Sequence, residues 1–283
     1  MKIAITGSRG FIGKHLVEKL EKDSNIEILE FDKPKLDLFD SENLKNLFRE
    51  ADIVIHLAGS NRDSENELLS TNTLGTLKVL EALRKNARKT KLIFASSFQV
   101  YRPMGLLKKI KEDAELNPQS IYGISKKCAE DLIKFYAGEY GIKSIILRLS
   151  NVYGPRCRPN YNSVIATFCY KAVNKEVLEV HDEKACRDYI HVKDVVDAII
   201  TSFNLKVENY EIMNVCSGKL YSLRDIVEIL KKEIDIKVNY GRGEDRKQVV
   251  GDNEKIANLL NFRPKIEFED GLKETLAYYR NEN

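Results

Sequence analysis

The chain has 283 residues, of which 43% are hydrophobic and 31% are charged, a composition that can fill a complete hydrophobic core. Its 46 basic and 43 acidic residues give a formal net charge of +3, which is too balanced to predict nucleic-acid binding. No stretch is apolar for long enough to predict a membrane-spanning helix, and the first residues lack the features of a secretion signal. We therefore expect a cytoplasmic protein without nucleic-acid or membrane partners.

The first half of the chain alternates short apolar runs with amphipathic segments. In chain order we predict a strand at 2–5, a helix at 11–21, a strand at 26–31, a short helix at 44–49, a strand at 53–57, a helix at 72–86, a strand at 91–95, a helix at 122–140 and a strand at 144–149. Strands separated by segments of helix length predict right-handed crossovers and a parallel sheet covered on both faces.

The pattern becomes less regular after residue 151. We predict a loop at 156–161, a helix at 163–174, a strand at 177–180, a helix at 192–203, a strand at 212–215 that can rejoin the main sheet, and helices at 222–232, 256–260 and 272–279. The helix at 222–232 opens with a serine, which is a favourable capping residue. This half is expected to form a smaller lobe.

The five cysteines are scattered along the chain, and no cysteine or histidine group has the spacing of metal ligands. We expect no metal site and interpret the cysteines as reduced thiols that mostly serve packing. They are Cys128, Cys157, Cys169, Cys186 and Cys216.

A glycine-rich turn, TGSRGFIG at 6–13, follows the first predicted strand and opens the first predicted helix. Gly7, Gly10 and Gly13 would allow a tight turn and close approach of the backbone to a pyrophosphate at the helix N-terminus. An incidental turn is the alternative. The strand, turn and helix order favours dinucleotide binding and a Rossmann-type, doubly wound parallel sheet.

An acidic residue, Asp32, ends the second predicted strand. An acid there can bind the adenosine ribose and repel a 2′-phosphate, which favours NAD over NADP. Two nearby cations, Arg9 and Lys33, keep NADP open as an alternative, and a turn residue in contact with solvent is a further interpretation of Asp32.

The sequence YGISK places Tyr122 and Lys126 four residues apart, on one face of a helix. A phenol has a pKa of about 10, and a nearby ammonium lowers the pKa because it favours the phenolate. Tyr122 could then exchange a proton with a hydroxyl or a ketone. Ser97, at the end of the strand predicted at 91–95, could bind the same oxygen. A surface helix pair and locally bonded turn serines are the alternatives.

The sequence resembles a known family, the extended short-chain dehydrogenases/reductases of the nucleotide-sugar epimerase/dehydratase type. The resemblance runs nearly from end to end. It rests on TGSRGFIG at 6–13, LDL at 36–38, IVIHLAG at 53–59, TNTLGTLKVLEAL at 71–83, ASSFQVY at 95–101, YGISK at 122–126, RLSNVYGPR at 148–156, RDYIHVKDV at 187–195, NVCSG at 214–218 and RGED at 242–245.

The resemblance implies roles for individual residues. Residues 1–150 would form the NAD-binding domain, with later segments near 190–218 returning to it, and 151–283 would mainly form the nucleotide-sugar-binding lobe. The implied catalytic residues are Ser97, Tyr122 and Lys126. The implied cofactor-binding residues are Gly7, Arg9, Gly10, Phe11, Ile12, Gly13, Asp32, Asp37, Leu38, Leu57, Ala58, Gly59, Asn72, Tyr122 and Lys126. The implied residues that bind a nucleotide-diphosphate sugar are Ser97, Tyr122, Asn151, Val180, Arg187, Arg242 and Asp245.

Enzymes of this family catalyse several different reactions that begin with the same oxidation step. We expect a 4-epimerase with retained NAD, because a dehydratase would need an acid and a base where this chain has Phe98 and Gln99, which do not titrate. A 4-keto-6-deoxy sugar reductase is the alternative, and a non-catalytic NAD-binding regulatory protein is a third hypothesis. Family members commonly form homodimers through the helices predicted here at 72–86 and 122–140, so we expect a homodimer.

Overall fold

The computed structural model of the chain describes residues 1–31, 38–86, 90–103, 109–161, 163–243 and 249–282. The strands are β1 Lys2–Thr6, β2 Glu27–Phe31, β3 Ile53–His56, β4 Lys91–Ser97, β5 Ser144–Leu149, β6 Asn151–Tyr153, β7 Leu178–Val180, β8 Cys186–His191, β9 Tyr210–Val215, β10 Leu220–Ser222 and β11 Val238–Tyr240. The α-helices are α1 Phe11–Leu20, α2 Ser41–Arg49, α3 Glu65–Leu69, α4 Gly75–Asn86, α5 Ile121–Tyr140, α6 Val164–Val173, α7 Val192–Thr201, α8 Leu223–Glu233, α9 Glu254–Leu260 and α10 Phe268–Glu282. None of the helices in these ranges has both the length and the apolar character that a bilayer crossing requires.

Two compact units divide the chain. Unit 1 comprises Met1–Arg102, Glu115–Leu149 and Val196–Met213, and unit 2 comprises Pro103–Ala114, Ser150–Val195 and Asn214–Asn283. Each unit is therefore built from segments that are distant in sequence.

Unit 1 is organised around a six-stranded sheet with the order β2-β1-β3-β4-β5-β9. Strand β1 pairs in parallel with β2 on one side and with β3 on the other, so the strand order reverses between them. Open α/β sheets bind ligands beyond the carboxyl ends of their strands at such a reversal. The predicted Rossmann-type parallel sheet is confirmed, and the strand predicted at 212–215 does join this sheet, as the edge strand β9.

One face of the sheet is covered by α2, α4 and α5. Their buried apolar side chains form a core with the strands, and Phe48, Leu80, Leu83 and Ile133 are completely inaccessible to solvent. Burying an aliphatic or aromatic side chain of this size contributes roughly 1.5–3 kcal/mol each. This core fixes α5 against β4 and β5.

The ends of α5 are defined by two local features. The hydroxyl of Ser120 accepts a hydrogen bond from the backbone N–H of Gly123 at 3.0 Å, which caps the first turn, so the helix begins one residue before its predicted start. At the other end, Gly141 adopts a left-handed conformation with φ of 69°, which glycine tolerates best. Tyr122 and Lys126 therefore lie within the first two turns of a well-defined helix.

Unit 2 contains two small sheets. Strands β10, β8 and β6 form one of them, and β11 and β7 form the other. The carboxylate of Asp188, which is fully buried on β8, accepts hydrogen bonds from the backbone N–H groups of Ser217, Gly218 and Gly251 at 2.9–3.1 Å. This one side chain thus links β8 to two segments far along the chain.

Candidate active site

The glycine-rich turn after β1 brings backbone segments closer together than any side chain would allow. Gly7 has a φ of 76°, and a Cβ atom there would lie 2.6 Å from the backbone nitrogen of Ala58. A Cβ atom on Gly13 would lie 2.1 Å from the carbonyl oxygen of Gly7. These approaches explain why the turn requires glycines at both positions.

The first turn of α1 is suited to an anion. Its N-cap, Gly10, has no capping side chain, and no acidic residue lies in the first turn. The N–H groups at a helix start and the helix dipole favour a phosphate there. Of the predicted cofactor-binding residues, Arg9 is exposed in this turn, and Phe11 and Ile12 are half-buried in the helix.

The residues that follow β3 lie close to two other predicted site residues, Asn72 and Lys126. Leu57 and Ala58 are half-buried, and Gly59 is exposed. A Cβ atom on Gly59 would lie 2.9 Å from Oδ1 of Asn72 and 3.3 Å from Nζ of Lys126. The structure thus brings together three predicted site residues that are widely separated in sequence.

Asn72 is buried and acts as a hydrogen-bonding hub. It lies in a π-helical turn, Ser70–Leu74, that precedes α4. Its Oδ1 accepts from the backbone N–H of Ser60, and its Nδ2 donates to the Ser60 carbonyl and to the Ser125 hydroxyl, each at 2.9 Å. The Ser125 hydroxyl in turn donates to the carbonyl oxygen of Tyr122 at 2.8 Å. Asn72 therefore ties the residues after β3 to the start of α5.

Three further residues in this half of the chain were predicted to bind the cofactor. Leu38 is buried in the core, and its Cδ1 would lie 3.0 Å from a Cβ atom on Gly75 at the start of α4. Asp32 and Asp37 lie outside the described residues.

Lys126 is the most constrained of the three predicted catalytic residues. Only 5% of it is exposed, and its ammonium donates a hydrogen bond to the Ala95 carbonyl oxygen at 2.9 Å. It also lies 4.8 Å from the centre of the Phe94 ring. Burial lowers the pKa of Lys126 to about 8, while the Glu130 carboxylate acts in the opposite direction.

The end of β4 is packed directly against the start of α5. Ser97 accepts a hydrogen bond from the backbone N–H of Gln99 at 3.2 Å and caps a short 3-10 helix, Phe98–Val100. The side chain of Gln99 accepts from the Ser120 hydroxyl at 2.9 Å. A Cβ atom on Gly123 would lie 2.3 Å from the Gln99 carbonyl oxygen. This close contact brings the strand end that carries Ser97 to the helix start that carries Tyr122.

Tyr122 is half-buried and lines an open pocket on unit 1. Gln99, Ser120, Asn61 and Arg62 are among the other residues that line it. Tyr122 therefore borders a space whose lining includes polar, charged and apolar side chains. These four neighbours were not among the predicted site residues.

The predicted substrate residues of unit 2 form two groups. Asn151 lies on β6 and donates from its side chain to the Asp188 carbonyl at 3.0 Å, beside Arg187 on β8. Val180 is buried at the end of β7, where its carbonyl accepts a hydrogen bond from the Gly241 N–H, and the next residue, Arg242, is exposed. The last predicted residue of the set, at position 245, is Asp245, which lies outside the described residues.

A buried ion pair near Lys126 was missed by the sequence reasoning. Glu130 receives two hydrogen bonds from the guanidinium of Arg148, at 3.0 and 2.8 Å, and both side chains are almost completely buried. The signal was available, because Arg148 interrupts the otherwise apolar strand SIILRL and a buried charge requires a partner.

The buried side chains of His56 and Cys157 are uncharged at neutral pH. His56 lies within hydrogen-bonding distance of the Thr6 and Thr76 hydroxyls, and burial lowers its pKa to about 3. All five cysteines are free thiols, and burial raises the pKa of Cys157 to about 11. Across the described ranges, no group of three or more histidine, cysteine, aspartate or glutamate side chains could hold a metal ion.

Comparison with known protein families identifies the family of the chain. Residues 3–216 match the NAD dependent epimerase/dehydratase family. The chain belongs to this family. The predicted family resemblance is thereby confirmed, as is the prediction of an NAD-dependent enzyme of the nucleotide-sugar epimerase type or a related oxidoreductase.

Curated members of the epimerase/dehydratase family that resemble the chain differ in reaction. A protein of Methanocaldococcus jannaschii described as a candidate UDP-glucose 4-epimerase is 32% identical and covers 99% of each chain. The UDP-N-acetyl-alpha-D-glucosaminuronate decarboxylase of Bacillus cytotoxicus is 30% identical, over 98% of this chain and 97% of the relative. The UDP-2-acetamido-2,6-beta-L-arabino-hexul-4-ose reductase of Pseudomonas aeruginosa is 30% identical over 81% of this chain and 57% of the relative.

Solved structures of the epimerase/dehydratase family show the same fold. The UDP-glucose 4-epimerase of Thermotoga maritima, bound to UDP-glucose, has a TM-score of 0.90 and 29% identity, over 100% of this chain and 99% of the other. The UDP-glucuronic acid 4-epimerase of Bacillus cereus, bound to UDP-glucuronic acid and NAD, has a TM-score of 0.89 and 25% identity, over 100% of both chains.

Proposed function

We propose that the chain is a nucleotide-sugar 4-epimerase that oxidises C4 of the sugar transiently with retained NAD. The strongest support is the environment of Lys126, whose ammonium is held at the Ala95 carbonyl and lies close to Gly59. Tyr122 lies one helical turn away and borders an open pocket. A cation and a phenol in this arrangement are suited to proton exchange with a sugar hydroxyl.

NAD fits the residues present in unit 1. Gly7 and Gly13 leave room that a Cβ atom would fill, and the uncapped start of α1 offers N–H groups for a pyrophosphate. Leu57, Ala58 and Gly59 would line the opposite side of the dinucleotide. Bound NAD supplies the acceptor for the hydride that leaves C4 and the donor when it returns.

Proton transfer would be carried out by Tyr122. As the phenolate, it accepts the proton of the sugar O4 hydroxyl while the C4 hydride leaves, so that a 4-keto sugar forms. After the sugar turns over, Tyr122 returns the proton to O4 as hydride returns to the opposite face. Lys126 lowers the pKa of the phenol by its positive charge, and Ser97 donates a hydrogen bond to O4.

The substrate is proposed to be a UDP-sugar, because UDP-sugars are the ligands in the structures of similar enzymes. Arg187 and Arg242 would bind the diphosphate, since the planar guanidinium matches phosphate oxygens with paired hydrogen bonds. Asn151 would contact the diphosphate, Val180 would lie against the base, and Asp245 would bind the ribose.

A dehydratase reaction is disfavoured by the residues that follow Ser97. Elimination requires an acid and a base near the sugar C5 and C6, whereas Phe98 is buried and Gln99 is a neutral amide bonded to Ser120. These side chains cannot supply a proton-transfer group.

A reductase of 4-keto-6-deoxy nucleotide sugars is the second candidate. Arg9 is exposed in the glycine-rich turn, where a guanidinium could bind the 2′-phosphate of NADP. A reductase is also among the similar curated proteins. Such an enzyme would release its cofactor after each reaction, whereas an epimerase retains it.

A homodimer is proposed as the working assembly. Leu74, Ile124 and Phe135 are large apolar side chains that are 50%, 39% and 57% exposed, next to or along α4 and α5. A second copy packed on these helices would cover them. Light scattering of the purified protein, compared with a Phe135→Glu variant, tests this: the parent should be dimeric and the variant monomeric.

A panel of UDP-sugars tests the reaction directly. The purified protein is incubated with UDP-glucose, UDP-glucuronic acid and UDP-N-acetylglucosamine without added cofactor, and the sugars are separated. A C4 epimer formed without added NAD supports the epimerase. Turnover only of a 4-keto sugar with added NADPH would instead identify the reductase.

A further inference from the structure

A second charged cluster lies one helical turn beyond Lys126. Glu130 and Arg148 are 0% and 1% exposed and are joined by two hydrogen bonds. The Ser96 hydroxyl donates to the same carboxylate at 2.5 Å, and Arg148 also donates to the Tyr101 hydroxyl at 2.9 Å. The carboxylate and the guanidinium are thus both satisfied inside unit 1.

The charged cluster and Lys126 are held by neighbouring residues of β4. The ammonium of Lys126 is bonded to the carbonyl of Ala95, and the next residue, Ser96, is bonded to Glu130. Ser96 is also the β-sheet neighbour of Arg148 across β4 and β5. One short segment of β4 therefore holds both the lysine and the carboxylate that follows it on α5.

The energetic need for this carboxylate comes from the burial of Lys126. Removing an ammonium from water disfavours its charged form, whereas a nearby carboxylate favours it. Burial is the largest influence on the pKa of Lys126 and lowers it, and Glu130 raises it. The Glu130 carboxylate is itself satisfied by the two hydrogen bonds from the Arg148 guanidinium.

Other titratable groups around Lys126 do not replace this role. On β3, His56 is buried and uncharged, so it adds no second positive charge. On α5, Tyr122 is the proton-transfer group proposed above. On β4, the lysine meets the Ala95 carbonyl and the Phe94 ring, which carry no charge. Lys134 is 3.8 Å from Glu130, is one-quarter exposed and lies on the far side of Glu130 along the helix.

We propose that the Glu130–Arg148 pair is a positioning element that keeps the Lys126 ammonium charged and directed toward the end of β4. The catalytic consequence rests on the proposed function, since it assumes that Lys126 acts on Tyr122. The effect of Glu130 on the charge of Lys126 is a property of the protein without cofactor or substrate. Glu130 acts through Lys126, and contact with substrate is not required of it.

The experiment measures the titration midpoint of Lys126 in the cofactor-free protein. Lysine labelled with nitrogen-15 is followed by NMR across the pH range, and its signal is assigned by its loss in Lys126→Met. In Glu130→Gln we expect the midpoint to fall by about one pH unit, because a nearby opposite charge has been removed. An unchanged midpoint in the folded variant would overturn the proposal.

A matched control lies on the same helix. Asp131 is bonded to Lys127 at 2.7 Å, also four residues apart, but both side chains are partly exposed. Asp131→Asn removes a carboxylate that pairs with Lys127 and Lys134, and it leaves Glu130, Ser96 and Arg148 in place. We expect it to leave the Lys126 midpoint unchanged, and an equal fall in this variant would contradict a specific role for Glu130.

A double variant addresses folding, because Glu130→Gln leaves the buried Arg148 unpaired. Glu130→Leu combined with Arg148→Met removes both charges, and replacing a buried pair by apolar side chains is often neutral for stability. We expect its Lys126 midpoint to remain about one pH unit low. A return to the parent value would show that an unpaired Arg148, and not the missing carboxylate, caused the fall. No sugar or NAD enters these titrations, so a lack of epimerase activity would not alter their outcome.

Discussion

The site residues of unit 1 and unit 2 are held very differently. In unit 1, Lys126 and Asn72 are buried and fixed by hydrogen bonds to neighbouring backbone. In unit 2, Arg242 is exposed, and Asn151 is exposed and held by a side-chain hydrogen bond to the Asp188 carbonyl. Exposed side chains must be ordered when a ligand binds, at a cost of about 0.5–1.5 kcal/mol each, whereas buried ones are already ordered. Under the proposed function, the groups that carry out the reaction would be preorganised, and those that bind the nucleotide would be ordered more by the ligand.

This contrast leads to different kinetic expectations for the two units. Substitutions in unit 1 should lower kcat, because they affect interactions made in the transition state. Substitutions in unit 2 should mainly raise KM, because they remove binding that substrate and transition state share.

The largest effect is expected for Tyr122→Phe, which removes the proton-transfer group. We expect kcat to fall by about 10³-fold, within the range for loss of a general base. The measurement is product formation on the substrate found in the UDP-sugar panel. Tyr140→Phe, at the far end of the same helix, is the control and should retain activity. Turnover of Tyr122→Phe within a few-fold of the parent would refute the proposed role.

Lys126→Met should lower activity and raise stability together. We expect kcat to fall by about 10²-fold because the phenol loses its cationic neighbour. A buried ammonium is costly while it is charged, so we expect the variant to be more stable at neutral pH by about 2 kcal/mol, after allowing for the lost hydrogen bond. Chemical denaturation measures this difference.

The difference in stability between Lys126→Met and the parent should become smaller as the pH rises. The pKa of Lys126 is lowered to about 8 in the folded protein, against about 10.4 in an unfolded chain. The parent is therefore penalised below the folded pKa, and the penalty disappears as pH rises from about 8 to about 10.4. The stability advantage of Lys126→Met should shrink over this interval. An advantage that is constant with pH would contradict a buried, charged lysine.

Arg187→Ala tests the expectation that substitutions in unit 2 mainly raise KM. We expect KM to rise about tenfold with kcat nearly unchanged, since a charge-assisted hydrogen bond contributes about 1.5–3 kcal/mol. Arg224→Ala is a suitable control, because Arg224 is exposed and bonded to Glu183. A fall in kcat without a change in KM would assign Arg187 to the chemical step.

Asn72→Ala should lower turnover less than either Tyr122→Phe or Lys126→Met. The variant loses three hydrogen bonds to Ser60 and Ser125, and we expect a stability loss of about 2 kcal/mol. The accompanying fall in kcat should be about tenfold, because the start of α5 is less firmly held. Asn66→Ala, on the exposed face of α3, should change neither quantity. Equal losses in both variants would exclude a positioning role for Asn72.

The features predicted best from sequence are those with a local cause. The glycine-rich turn follows from backbone approaches that only glycine permits. The helix predicted at 122–140 begins one residue later than α5 and ends at the same residue. The alternating strands and helices of unit 1 predicted its sheet, since a strand buried on both faces leaves a continuous apolar run. These signals lie within a few residues of the structure that they specify.

The features that sequence did not predict depend on distant contacts. Strands β6, β8, β10 and β11 were not predicted, and each of them pairs with a strand that is distant in sequence. The π-helical turn at Ser70–Leu74 reflects the bonds of Asn72 to residues outside its helix. The pair Glu130–Arg148 joins a helix to a strand, and sequence reveals only that each charge needs a partner.

The ionisation of Tyr122 is the most direct test of the central claim that a buried cation prepares a phenol for proton transfer. The ultraviolet absorbance of the phenolate is followed with pH in the NAD-bound protein, and the Tyr122→Phe spectrum is subtracted to isolate this one side chain. We expect a midpoint well below the usual value of about 10, and a midpoint that rises toward about 10 in Lys126→Met. A midpoint near 10 in the parent, unchanged by Lys126→Met, would contradict the claim.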